Sequence, residues 1–96
     1  MSDSTVIFRI EPLGDHEYLV AIHSGTETAE PQIRASPGIM RVLGAGEDDE
    51  ERVVHETAEF LLAHQPLFDL PPMIDLEDVA AAYDDFLDIL RKRLNG

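Results

Sequence analysis

The sequence predicts an α+β domain: a small antiparallel sheet, built from an N-terminal β-hairpin and a possible third strand, covered by two C-terminal α-helices. Three observations carry that expectation. Apolar and polar residues alternate over the first quarter of the chain, which is the period of a strand. Apolar residues recur at three- and four-residue spacing over the second half, which is the period of a helix. Gly and Pro punctuate the joins between these stretches.

Residues 1–35 are the β-rich part. Over 5–11, TVIFRIE, Val6, Phe8 and Ile10 alternate with Ile7, Arg9 and Glu11. The stretch 12–16, PLGDH, is rich in turn formers. A second strand over 17–23 sets Tyr18, Val20 and Ile22 on one face, so the two strands form an antiparallel hairpin. Residues 24–30 read as polar turn. Residues 31–35 give the possible third strand, with Ile33 inward and Pro31 at its start or on an edge. Both hairpin strands carry apolar residues on both faces, Ile7 against Val6 and Phe8, and Leu19 and Ala21 against Val20. That excess points to a second covering layer, such as another copy of the chain.

Residues 36–46 form a short helix or turn. Ser36-Pro37 fits an N-cap followed by proline at the first helical position, and Gly44 fits the stop, while a strand over 39–43 is the alternative. The stretch 47–65 is a helix with Val53, Thr57, Phe60, Leu61 and His64 along one stripe. Five acids at 47–51 lie at its positive end, and Pro66 stops it. Residues 66–74, PLFDLPPMI, form an apolar loop. A second helix over 75–94 starts at Asp75 and carries Leu76, Val79, Tyr83, Phe86, Leu87, Leu90 and Leu94 as its stripe.

Composition narrows the function classes. The 96 residues form one domain's worth of chain, with a single modest core. Cysteine is absent, which removes disulfides, thiolate metal sites and thiol nucleophiles and favours a cytoplasmic setting. The start, Met1-Ser2-Asp3-Ser4, lacks the basic and apolar segments of a signal peptide, and no apolar run approaches membrane-spanning length. The net charge is −13, unevenly spread. Residues 1–46 hold six acids and three bases, giving −3. Residues 47–96 hold fourteen acids and four bases, giving −10. Such a surface repels phosphate backbones and anionic lipid, so direct contact with nucleic acid or membrane is not expected.

Little in the sequence suggests catalysis. His55-Glu56-Thr57-Ala58-Glu59 fails the His-Glu-x-x-His zinc pattern at its last position. Glu51, His55 and Glu59 recur at four-residue spacing and could line one helix face as a divalent-metal ladder. A solvated, charge-paired helix face accounts for the same spacing and is preferred, so no metal and no cofactor are assigned. Asp84, Asp85 and Asp88 read as a second solvated acidic face. No nucleophile elbow and no phosphate-cradling glycine loop occur.

The remaining oddity is the loop 66–74. Leu67, Phe68, Leu70, Met73 and Ile74 are large apolar side chains in a proline-stiffened segment. A loop tucked over the core explains them, and so does a preorganised patch that docks a partner. The run Phe60, Leu61, Leu62, Pro66, Phe68, Asp69 and Leu70, following a strand pair, resembles small uncharacterised bacterial proteins in which a hairpin precedes a helix ending in Phe-Leu-Leu and then Pro. That resemblance covers about a third of the chain. It implies no activity and no site. The expectation is a non-catalytic acidic interaction domain that self-associates as a dimer or joins a complex with a protein partner. The alternative is an acidic, antitoxin-like decoy covering a basic nucleic-acid-binding protein.

Overall fold

The N-terminal residues run back and forth as a meander whose register follows from the alternation. The computed structural model describes residues 6–95; the readings made on residues 1–5 and 96 lie outside the described residues. Strand β1 (Val6–Gly14) pairs antiparallel with β2 (Glu17–Ser24), setting Phe8 opposite Ile22 and Ile10 opposite Val20. The turn is tighter than the sequence suggests, because Pro12 and Gly14 still belong to β1. Asp15 and His16 form a two-residue loop with φ of 54° and 66°, the positive-φ pattern of a type I′ turn. Asp and His tolerate this left-handed region better than most residues. Leu13 is the extra residue of a bulge, since Pro12 faces Tyr18 and Gly14 faces Glu17.

The other edge of β2 pairs with β3 (Glu27–Ala29) and β4 (Gln32–Arg34). These are two halves of one strand in one register. Ile22 faces Ala29, Leu19 faces Gln32, and between them the Val20 N–H donates to the Pro31 carbonyl at 2.9 Å. Pro31 has no N–H to return, and there the ladder breaks. The segment read as polar turn over 24–30 is therefore mostly strand; only residues 25–26 turn, with Gly25 at φ 64°. The third strand itself, with Ile33 buried, is where the sequence places it.

From β4 the chain crosses over through α1 (Pro37–Leu43), a 3-10 turn at Glu47–Asp49, α2 (Glu50–His64) and a second 3-10 turn at Leu67–Asp69. It returns as β5 (Met73–Asp75), parallel to β4, and completes the sheet order β1-β2-β4-β5. The fold is thus α+β: among the described residues, five strands, mostly antiparallel, with four helices, two of them C-terminal. The alternatives over 36–43 resolve to helix, and Gly44 closes it in the left-handed region, its N–H reaching the Arg41 carbonyl.

Two expectations are corrected. The last residues of the apolar loop, Met73 and Ile74, are strand rather than loop, held by the Gln32 N–H donating to the Pro72 carbonyl at 2.8 Å. The single helix over 75–94 is two: α3 (Leu76–Ala82) and α4 (Phe86–Asn95). Tyr83 between them is extended, at φ −126° and ψ 112°. Asp84-Asp85 suits a helix start better than an interior. The Asp85 carbonyl accepts the Ile89 N–H at 3.0 Å as α4 begins. The break lets Leu76 and Val79 pack from one direction and Phe86 and Leu90 from another, all buried.

The core lies between one face of the sheet and the helices. Val20, Ile22, Ile33 and Ile74 meet Val53, Val54, Ala58, Phe60, Phe86 and Leu90. Phe60 packs edge-on against Phe86 at 5.1 Å and Tyr83 at 5.2 Å. The opposite face of the sheet alternates Ile7, Leu19 and Ala21 with Arg9, Glu11 and Glu30.

Candidate functional site

Glu50, the first residue of α2, is the one buried carboxylate among the described residues, at 6% exposure. Its Oε1 accepts the Tyr18 hydroxyl at 2.8 Å and its Oε2 lies 2.6 Å from His16 Nδ1. His16 reaches Glu50 from the positive-φ turn of the hairpin. Burial first, then the hydrogen bond to Glu50 and the charges of Glu50, Glu51 and Glu47, push the Tyr18 hydroxyl from its ordinary 10.0 up to about 12. A carboxylate beside His and Tyr has the parts of an acid–base site. Here it ties the hairpin to the helix, with both carboxylate oxygens already engaged. The sequence places Glu50 among five acids at the positive end of a helix and does not single it out, because a contact across 34 residues leaves no local signal.

A second polar contact joins the buried Ser36 to the half-buried Asp75. Ser36 occupies the N-cap position before Pro37, yet its side chain makes no capping bond and donates to Asp75 instead. Asp75 caps α3 by accepting the Glu77 N–H at 3.0 Å and meets Arg34 Nη1 at 3.5 Å. Burial works to raise the Asp75 carboxyl, but the bonds from Ser36 and Glu77 and the charge of Arg34 outweigh it and hold it below the usual carboxylate range. The described hydrogen bonds of the histidines reach Glu50 and the Phe60 carbonyl, and the Ser36 hydroxyl donates to a carboxylate rather than to an imidazole.

On α2, the ladder Glu51, His55, Glu59 is not the set whose ligand atoms converge. That set is His55, Glu56 and Glu59, within 4.8 Å of one another. Arg93 from α4 takes both carboxylates, reaching Glu56 at 3.2 Å and Glu59 at 3.7 Å. His55 packs edge-on against Phe8 at 4.7 Å. A guanidinium already holds the charge a cation would need, and this face carries no metal assignment.

The loop after α2 divides its apolar residues. Leu67 and Ile74 are buried and anchor it, and Leu70 is half-buried. Phe68 is 75% exposed and Met73 62% exposed. Pro66 precedes the 3-10 turn and Pro71-Pro72 follows it, so the loop is stiff. Met73 lines a shallow groove whose walls mix apolar Leu61, Val79 and Tyr83 with the carboxylates of Asp69 and Asp78. The acids Asp84, Asp85 and Asp88 are exposed, as are Glu47, Asp48, Asp49 and Glu51. His64 Nδ1 donates to the Phe60 carbonyl at 2.9 Å, and its ring packs at a tilt against those of Phe60 and Tyr83. No helix among the described residues is long and apolar enough to cross a membrane. Comparison with protein-family models, curated proteins and solved structures finds no match.

Proposed function

We propose that the chain is a non-catalytic acidic interaction domain of the cytoplasm, which binds a protein partner or joins a complex through the segment 67–74. The observation that carries this reading is the exposure of Phe68 and Met73 beside anchored neighbours. Leaving two large apolar side chains in water forgoes burial worth roughly 1.5–3 kcal/mol each. A stiff segment loses little entropy when a partner covers them. The groove of Leu61, Val79 and Tyr83 next to Met73 extends the apolar area a partner can use.

The double variant Phe68→Ser with Met73→Ser tests it. Partner capture by the tagged protein should weaken while the circular-dichroism helix signal stays constant. Unchanged capture would overturn the reading. The antitoxin-like decoy remains the second reading, supported by the exposed Asp84, Asp85 and Asp88. The two separate on salt: exposed charges are screened beyond about 10 Å at 0.1 M. A basic partner lost at higher salt fits the decoy, and a partner retained fits the apolar patch.

A further inference from the structure

The edge of β1 is built to pair with itself. Direction of the backbone groups follows from one bond. The Val20 N–H points to Pro31, away from β1. Ile10, opposite Val20, is therefore a non-hydrogen-bonded partner in the β1–β2 ladder, and its N–H and carbonyl face outward. By the two-residue period of a strand, Phe8 and Pro12 face outward too, while Ile7, Arg9 and Glu11 bond to β2. Among the described residues no strand pairs with that outer edge. Pro12 has no N–H, and it sits where none is needed for the existing ladder.

We propose that two copies of the chain join through β1 in antiparallel register about a twofold axis at Ile10, making one continuous ten-stranded sheet. Charge complementarity selects this register. It places Arg9 of each copy opposite Glu11 of the other, twice over. Moving the axis by one residue sets Arg9 against Arg9 or Glu11 against Glu11, and like charges directly opposed destabilise a sheet. In the chosen register, Ile10 exchanges two backbone bonds with Ile10 of the second copy. The Phe8 N–H of each copy donates to the Pro12 carbonyl of the other. The exposed Ile7 comes alongside the exposed Leu13, and the half-buried Phe8 and Ile10 gain cover. An isologous contact of this kind closes on itself and leaves β3 and β5, each only three residues long, at the outer edge of each half.

This inference names a second copy as one partner of the interaction domain but uses a surface apart from 67–74, and the variants keep the two apart. Sedimentation at increasing protein concentration should show a dimer. Arg9→Glu should weaken it at least about tenfold, because two attractive pairs become two repulsive ones. Arg9→Glu combined with Glu11→Arg should restore it. Amide exchange supplies a readout independent of folding: the Phe8 and Ile10 amides should gain protection with concentration, while those of Ile7, Arg9 and Glu11 are protected throughout. The variant with Ser at 68 and 73 should still dimerise. A wild-type chain that stays monomeric, or Phe8 and Ile10 amides that exchange fast at every concentration, would overturn the pairing and mark Arg9, Glu11 and Pro12 as guards that keep the edge single. A dimer indifferent to the charge swap would overturn this register.

Discussion

The Tyr18 hydroxyl donates to Glu50 Oε1 at 2.8 Å, joining the second strand of the hairpin to the first residue of α2 across 32 residues. The same carboxylate meets His16 in the turn, so one side chain holds both the strand and the turn that precedes it. The acid is buried, and its engagement decides how much it stabilises. A buried acceptor with two donors contributes; the donors left behind by its removal are a penalty.

Glu50→Ala is expected to destabilise the fold by roughly 1–3 kcal/mol, since it strands the Tyr18 hydroxyl and the His16 ring. Denaturant unfolding at neutral pH checks it. The pH dependence follows from Tyr18. Its folded value, about 12, lies above its ordinary 10.0, so the neutral form is favoured by folding. That contribution is complete below pH 10.0 and is lost as pH rises towards 12. Absorbance titration of the two tyrosines should show one ionising late, and Glu50→Ala should bring it earlier.

Asp75 gives the opposite dependence. Its folded carboxyl titrates below the ordinary range, so its contribution is present above the unfolded value and fades as pH falls through the folded one. Asp75→Asn keeps an oxygen that can cap α3 but removes the negative charge that meets Ser36 and Arg34, at a cost of roughly 1–3 kcal/mol near neutrality. The gap between Asp75→Asn and the native chain should narrow on acidification. An unchanged gap down to acid would show that Asp75 does not carry this charge-dependent term.

Gly44 isolates a backbone effect. At φ 71° it occupies the left-handed region, and a Cβ built there meets nothing within 4 Å. Gly44→Ala should therefore lower stability by about 1–2 kcal/mol through conformation alone, with no steric clash to relax. Thermal unfolding reads the difference. A much larger loss would mean the α1 terminus makes contacts beyond the two backbone bonds from Gly44 and Ala45.

Much of this protein was legible before any coordinates. Alternation in Val6–Ile10 and Tyr18–Ile22 set the hairpin and its buried face, because residues two apart on a strand share a side whatever lies elsewhere. The stripe Val53, Thr57, Phe60 and Leu61, the proline at 66 and the acids at 47–51 set α2 for equally local reasons. The split of Leu67 and Ile74 from Phe68 and Met73 was not legible, since five apolar residues in a row of nine read alike until the sheet chooses which of them it covers. The strand pairing of Met73–Asp75 with Gln32–Arg34, the break at Tyr83 and the choice of Glu50 from a run of five acids were likewise decided by tertiary structure. Each depends on where segments distant in the chain meet, and burial, which only the assembled fold creates, is what turns one surface acid into an internal tie and its neighbours into a charged exterior.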